Sequence, residues 1–138
     1  MDTPTGLTAN ASLTEYNSWQ VGGKADFLGL PESEEQIKEY WAWALSKNIP
    51  VTFIGGGTNV LISDIGVTGL VLVLKKFSQL TSREIEIDRQ KYLQIETLSG
   101  TGKNELLRVF LKHQLDPALF LAGLPGDVGG GVVMNAGV

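Results

Sequence analysis

The sequence contains no cysteine and only one histidine, His113. Without thiols the chain forms neither disulfides nor a thiolate metal site, and a reducing compartment suits it. His113 closes an apolar helical pattern at the end where a cation suits the helix dipole, which is a structural role. The sequence therefore predicts no metal site and no chemical role for the histidine.

Long hydrophobic runs and clusters of positive charge are also missing. No apolar segment approaches the roughly 18 residues of a membrane span, and residues 1–12 lack the basic and apolar regions of a signal peptide. The chain has 11 Lys and Arg against 15 Asp and Glu, a net charge of −4, and its basic residues are scattered. We therefore expect a soluble cytoplasmic protein that binds neither membrane nor nucleic acid.

What the sequence does have is a run of three glycines at positions 55–57, directly after the apolar stretch 51–54. Consecutive residues without a Cβ let backbone amides approach a ligand closely and form a concave anion site. Two small polar residues, Thr58 and Asn59, follow the glycines. This first glycine loop (residues 55–61) is predicted to bind an anion such as the pyrophosphate of a nucleotide.

A second glycine loop spans residues 123–137. Pro125 fixes one backbone torsion whereas Gly126, Gly129 and Gly130 leave others free, which predicts a rigid path with exposed amides. Two such loops on one small chain suggest two ends of one ligand. A glycine cluster after a strand is, however, more often a tight turn than a binding site.

Neither loop matches a standard nucleotide motif. The three glycines are contiguous and no glycine follows between positions 58 and 62, so the dinucleotide fingerprint is disfavoured. Gly102-Lys103 resembles the end of a triphosphatase phosphate loop, but Thr97 stands in place of its first glycine and Asn104 in place of its magnesium-binding hydroxyl. We therefore interpret Lys103 as the start of an ordinary helix.

Two helices are predicted from apolar periodicity and capping signals. Ser33 and Gln36 form a capping box that opens a helix to about Lys47, and a second helix occupies about 103–113. The inward stripe of the first helix is predicted to consist of Ile37, Tyr40, Trp41, Ala44 and Leu45.

Strands are predicted at 25–30, 51–54 and 70–74, and a hairpin at 85–87 and 92–98 around residues 88–90. Residues 1–13 are small and polar and are interpreted as a flexible leader, followed by one domain over 14–138. The alternation of strands and helices indicates an α+β fold.

Three segments together resemble the UDP-N-acetylenolpyruvoylglucosamine reductase family, the flavoenzymes of peptidoglycan precursor synthesis. They are residues 16–26 (YNSWQVGGKAD), the first glycine loop, and the second glycine loop with its GLPGDVGG and MNAG motifs. The segments follow the family's order at about its spacing, from about Tyr16 to the last residue. The departures are Gln20 where many members have Arg or Gly, Thr58 for the usual Ser, and Val138 where Ala is common.

The resemblance implies the bilobal FAD-binding fold of the vanillyl-alcohol oxidase (PCMH) type, truncated before the substrate domain. It implies FAD held non-covalently between two lobes, with NADPH as co-substrate. The family reduces the enolpyruvyl double bond of a UDP-sugar to UDP-N-acetylmuramate, in cell wall biogenesis. Because its substrate-binding and proton-donating groups come from later sequence, we assign no catalytic residue to this chain.

Both glycine loops supply the cofactor-binding residues that the resemblance implies. The first loop faces the pyrophosphate, and the second follows the ribityl chain towards the isoalloxazine. The residues are Gly55, Gly56, Gly57, Thr58, Asn59, Val60, Leu61, Gly123, Pro125, Gly126, Val128, Gly129, Gly130, Met134, Asn135, Ala136 and Gly137.

Two alternatives remain open at the level of the sequence. In the first, the chain is a flavin-binding subunit of another PCMH-type oxidoreductase. In the second, it is a non-catalytic fragment whose glycine loops are structural turns. Whether the chain belongs to the reductase or to another flavin-dependent oxidoreductase, covalent attachment of the flavin is disfavoured, because there is no cysteine and His113 is distant from both loops in sequence.

Overall fold

A computed structural model describes residues 2–115 and 120–137 of the chain. Val138, one of the departures from the family pattern, and Pro117, which we expected to lead into the second glycine loop, lie outside the described residues. The strands are β1 (Leu7–Ser12), β2 (Lys24–Gly29), β3 (Val51–Ile54), β4 (Val67–Val73), β5 (Leu80–Ile87) and β6 (Gln90–Thr97). The α-helices are α1 (Glu34–Ser46), α2 (Lys103–Lys112) and α3 (Val128–Val133), and short 3₁₀ helices span Thr14–Tyr16 and Leu74–Lys76.

Four strands form a mixed sheet in the order β1-β2-β4-β3. β1 is antiparallel to β2, whereas β2 and β3 both run parallel to the central strand β4. β3 ends at Ile54, opposite Val73 of β4. The first glycine loop therefore leaves the carboxyl edge of the parallel strands, which is where ligands bind in open α/β sheets.

The core forms on both faces of β4, whose residues 70–73 are completely buried. A strand covered on both faces is expected to be continuously apolar rather than alternating, as this one is. Val71 and Val73 face one cluster and Leu70 and Leu72 the other, because successive side chains point to opposite faces. The first cluster also contains Leu13, Ala25, Leu28, Ile54 and Ile62, and the second Tyr40, Trp43 and Ala44.

Helix α1 begins as the capping box predicts. The Ser33 Oγ accepts a hydrogen bond from the Gln36 amide at 3.3 Å, and the Gln36 side-chain oxygen accepts one from the Glu32 amide at 2.7 Å. These bonds satisfy amides at the start of the helix that have no partner within it. The helix ends at Ser46, with Lys47 as its C-cap residue.

The predicted inward stripe of α1 was wrong at two positions. Trp41 is 44% exposed and Leu45 is 67% exposed, while Trp43 is buried with its ring edge-to-face against Phe27 at 4.9 Å. The stripe that meets the sheet is Tyr40, Trp43 and Ala44. Positions 41 and 45 have the same helical spacing as 40 and 44, so periodicity alone does not separate them.

The leader interpretation was wrong for Leu7–Ser12, which form β1. This strand pairs with β2 at the edge of the sheet, with Leu7 opposite Gly29 and Ser12 opposite Lys24. Its apolar residues are few and mostly small, so the sequence gives a weak strand signal. Ordered structure thus starts before Tyr16.

The other sequence predictions of elements agree with the structure. The hairpin is longer than predicted, with a turn at Asp88 and Arg89 whose φ angles of 51° and 62° are those of a two-residue hairpin turn. Helix α2 ends at Lys112 and His113 is its C-cap residue. No helix within the described ranges is long and apolar enough to cross a membrane.

Candidate functional site: a cleft between two glycine loops

The two glycine loops face each other across a cleft of about 440 Å³, here called the glycine cleft. Its volume lies within the range of about 300–1,000 Å³ typical of small-molecule sites. One wall is the first glycine loop and the other is the second glycine loop with the start of α2. The lining residues are Phe53, Ile54, Gly55, Gly56, Gly57, Thr58, Asn59, Val60, Lys103, Leu124, Pro125, Gly126, Asp127, Gly130, Gly131, Met134 and Ala136.

The first wall is fixed by the segment that precedes β2. The Ser18 amide donates a hydrogen bond to the Gly57 carbonyl at 3.0 Å. The Asn17 side chain is buried and donates to the carbonyls of Leu13 and Val21 at 3.0 and 2.9 Å, which holds this segment in place. Gly57 has a φ of +69°, and a Cβ there would collide with the Tyr16 carbonyl oxygen. The glycine at position 57 is therefore required by the fold itself.

The backbone amides of residues 56–59 in the first wall have no hydrogen-bond acceptor among the described residues. Neutral amides fixed by the surrounding backbone suit an anion, because their dipoles need no reorganisation on binding. The role of this loop as an anion site stays a prediction, with which these unbonded amides are compatible.

The second wall is attached to the turn between β6 and α2. The amides of Val128 and Gly129 donate to the carbonyls of Thr101 and Ser99, each at 2.8 Å. Thr101 is completely buried, and its hydroxyl bridges the backbone of Gln79 in the segment before β5. The second loop was predicted as a rigid path with exposed amides, but residues 128–133 form the helix α3, which these long-range bonds hold despite its three glycines.

The two walls touch where residues lack side chains. A Cβ on Gly56 would lie 2.9 Å from Asp127 Oδ1 and 3.1 Å from the Gly126 Cα. Likewise, a Cβ on Gly126 would lie 2.7 Å from Thr58 Oγ1. Close approach of the two walls is thus one reason for glycine at both positions.

Asp127 contributes a carboxyl group to the glycine cleft. It is only 8% exposed, and its Oδ2 atom has no hydrogen-bond partner among the described residues. Burial raises the pKa of Asp127 above its usual value; the charges of Lys75 and Lys103 oppose this shift and Glu105 adds to it. Asp127 therefore stays protonated to a higher pH than an exposed aspartic acid does.

Lys103 is the first residue of α2, as predicted, and its side chain also lies in the same cleft, which the sequence did not indicate. Its side chain is buried, and Nζ donates a hydrogen bond to the Pro125 carbonyl at 2.9 Å. The methylene stem passes Gly131 closely, since a Cβ on that glycine would lie 2.9 Å from Lys103 Cε. The cleft thus combines uncharged amides on one wall with a buried ammonium group on the other.

The predicted site residues divide into three groups. Those from Gly55 to Val60 line the glycine cleft, together with Pro125, Gly126, Gly130, Met134 and Ala136. Val128 and Asn135 instead line an adjacent apolar cavity of about 490 Å³ between α2 and α3, which Ala136 also borders. Leu61 is 77% exposed, and Leu61, Gly123, Gly129 and Gly137 line neither cavity.

Asp127 and Lys103 are the two charged residues of the cleft that were not predicted from the sequence; the uncharged residues not predicted are Phe53, Ile54, Leu124 and Gly131. Asp127 stood within the quoted GLPGDVGG motif, so its position was visible although its burial was not. Lys103 was set aside because its neighbours do not complete a phosphate-loop motif. No group of three or more metal-ligating side chains occurs among residues 2–115 and 120–137.

Comparison with known proteins gives a consistent result. Residues 25–138 match the family described as FAD binding domain. Over 131 residues the chain is 38% identical to the UDP-N-acetylenolpyruvoylglucosamine reductase of Prochlorococcus marinus (strain NATL2A), covering 95% of this chain and 43% of that protein. The reductases of Moorella thermoacetica and Clostridium tetani are 38% and 35% identical over 131 residues, 95% of this chain and 41% and 40% of theirs.

The chain spans less than half the length of these curated relatives. The family match includes both glycine loops, and the similarity to the reductases extends over 95% of the chain. The α+β architecture and the glycine cleft agree with this match. The chain belongs to the FAD binding domain family, and it resembles the FAD-binding portion of UDP-N-acetylenolpyruvoylglucosamine reductases.

Proposed function

We propose that this chain is the FAD-binding part of an NADPH-dependent UDP-N-acetylenolpyruvoylglucosamine reductase, with the glycine cleft as its cofactor site. The observation that carries the proposal is the pairing of two glycine loops around one cleft, with unbonded amides on the first wall. The reaction in this proposal is inferred from the names of the relatives, which are UDP-N-acetylenolpyruvoylglucosamine reductases.

In this proposal the two walls bind different parts of the cofactor. The amides of residues 56–59 donate to the diphosphate, and the Lys103 ammonium adds a positive charge on the opposite side. Gly130 and Met134 also line the second wall, and in this proposal they would hold the ribityl chain and the flavin ring. A polar wall for the diphosphate and a more apolar wall for the ring suit the two ends of FAD.

Bound FAD would supply the redox chemistry, hydride transfer from NADPH to the enolpyruvyl double bond of a UDP-sugar. The chain's own residues bind and orient the cofactor and exclude water from its diphosphate. The groups that hold the substrate and donate the proton are assigned to the part of the relatives that this chain does not match.

Titration of the purified chain with FAD and with riboflavin tests the site. Riboflavin carries the same ring but no diphosphate, so we expect FAD to bind at least about tenfold more tightly, equivalent to about 1.4 kcal/mol. Quenching of flavin fluorescence reports both affinities. Equal affinities for FAD and riboflavin would contradict diphosphate binding by the first wall. Absence of FAD binding would reject the proposal.

We expect the cofactor to be held without a covalent bond, because there is no cysteine and His113 lines neither of the two cavities beside the loops. Acid precipitation of the FAD-loaded chain should leave the yellow colour in the supernatant. A coloured protein pellet, after thorough washing, would overturn this point.

The chain alone is expected to lack reductase activity even when supplied with FAD, NADPH and the enolpyruvyl UDP-sugar. Its matched region is less than half of the relatives, and positioning of substrate beside the cofactor is a large part of catalysis. NADPH consumption measured beside the intact Moorella thermoacetica reductase provides the reference rate. Substrate-dependent consumption at a comparable rate would place the catalytic groups within this chain.

A further inference from the structure

Asp127 is a buried acid with an unpaired oxygen on the wall of the glycine cleft. Its Oδ2 atom lacks a hydrogen-bond partner within the described residues, although the residue is only 8% exposed. Buried polar atoms in folded proteins almost always have a partner. An unpaired polar atom on a residue that lines a cleft therefore points to a group that arrives with a ligand.

The carboxyl group lies against the part of the first wall whose amides have no partner. Positions built for Cβ atoms on Gly56 and Gly55 are 2.9 Å from Asp127 Oδ1 and 3.5 Å from Oδ2. An anion that binds the amides of residues 56–59 would come close to this carboxyl group. Two negative charges so close together would repel each other strongly, and this repulsion favours the protonated form of one of the two groups.

The charges around Asp127 do not remove this conflict. Lys103 and Glu105 act on it from α2, and Lys75 from the 3₁₀ helix after β4, while the first glycine loop contributes no charged side chain. None of the ion pairs within the described residues includes Asp127. The Lys103 ammonium group is instead bonded to the Pro125 carbonyl.

We propose that Asp127 binds the cofactor as the neutral acid, its carboxyl hydroxyl donating a hydrogen bond to a diphosphate oxygen, so that cofactor binding takes up one proton. The proton comes from solvent and no other bond is made or broken. The inference rests on the proposed function, because the diphosphate is that of FAD. It adds a pH dependence to that function: the cofactor is held more tightly as the pH falls.

The test compares FAD affinity and proton uptake across pH in three proteins: the unchanged chain, Asp127→Asn and Asp64→Asn. The asparagine amide is neutral and donates a hydrogen bond at any pH, whereas Asp64 is exposed and outside the cleft. For the unchanged chain and Asp64→Asn, we expect the FAD Kd to rise by up to about tenfold per pH unit once free Asp127 is ionised. For Asp127→Asn, the Kd should be nearly constant.

Calorimetric titration in buffers of different ionisation enthalpy counts the protons directly. The unchanged chain should take up close to one proton per FAD at a pH where free Asp127 is ionised, and Asp127→Asn close to none. This count on the unchanged chain decides the question even if thermal melting shows that Asp127→Asn does not fold.

The outcomes separate this inference from the proposed function. If FAD binding takes up no proton and its Kd is the same at every pH, the proposed role of Asp127 is wrong. The proposed cofactor site is not affected by that result. Proton uptake that persists in a folded Asp127→Asn variant would overturn it as well. Absence of FAD binding at every pH would overturn both.

Discussion

Gly57 and Gly130 face the same cleft from opposite walls, but only Gly57 has a structural reason to be glycine. Gly57 has a φ of +69°, and a Cβ on it would collide with the backbone of Tyr16 and Asn17. Gly130 lies inside α3, where a Cβ would meet no atom within 4 Å. An ordinary helix position favours alanine over glycine by about 1 kcal/mol. The comparison teaches that one glycine serves the fold, while the other keeps space open in the cleft.

The largest expected effect is that of Gly57→Ala. A side chain at this φ is strained by about 1–3 kcal/mol, and its collision with the Tyr16 carbonyl adds further cost. We expect the free energy of unfolding to fall by at least about 3 kcal/mol, measured by urea denaturation. Gly130→Ala is the matched control and should be neutral or stabilise the chain by up to about 1 kcal/mol. An equal loss of unfolding free energy in both variants would contradict the difference proposed between the two walls.

Lys103→Met should give an intermediate loss. The thioether keeps the apolar stem but leaves the Pro125 carbonyl without its donor, which costs about 1–3 kcal/mol. Arg108→Met on the exposed part of α2 is the control and should change stability by less than about 0.5 kcal/mol. Chemical denaturation of both variants measures the difference. If the two behave alike, Lys103 is the ordinary helix residue that the sequence indicated.

Asp127→Asn should have the smallest effect on stability, and its sign depends on pH. The pKa of Asp127 is raised in the folded chain, chiefly by burial, so the folded state favours the protonated acid. The unchanged chain therefore loses stability as the pH rises through the unfolded and then the folded pKa. Asp127→Asn should melt at a higher temperature than the unchanged chain at about pH 7 and lose that advantage below about pH 4. An advantage that is the same at both pH values would contradict the raised pKa.

Much of the fold was predictable because its central strand β4 is continuously apolar over residues 70–73. Residues 70–73 read as a buried strand from composition alone, and Ser33 with Gln36 marks the start of α1. Residues 51–54 form a strand as predicted, but the prediction that it is buried was wrong, because β3 is an edge strand in which only Ile54 is buried. The edge strand β1 was not predictable, since its stability comes from pairing with β2 rather than from its own side chains. Trp41 and Trp43 show the same limit, because only the position of the sheet decides which of them is buried.

The candidate site was predictable where its function needs glycine. Positions 55–57 and 126 stood out because a residue without a Cβ permits close approach of backbone. The roles of Asp127 and Lys103 were not predictable, because their burial depends on long-range contacts. Those contacts join the turn of residues 99–103 to the second glycine loop, through the hydrogen bonds of Lys103, Val128 and Gly129. Spacing along the chain carries no signal of such contacts.

The most direct test of the cofactor site is the FAD affinity of Gly130→Leu beside Val133→Leu. Both substitutions place leucine on α3, but only position 130 lines the glycine cleft, and Val133 is exposed. A Cβ at position 130 would meet no atom within 4 Å, and the residue lines the cleft, so we expect a longer side chain there to occupy cleft space. We expect Gly130→Leu to weaken FAD binding by at least about 100-fold, or about 2.7 kcal/mol, with an unchanged melting temperature. Val133→Leu should bind FAD as the unchanged chain does. Full FAD affinity in a folded Gly130→Leu variant would contradict the central claim that the cofactor lies in this cleft.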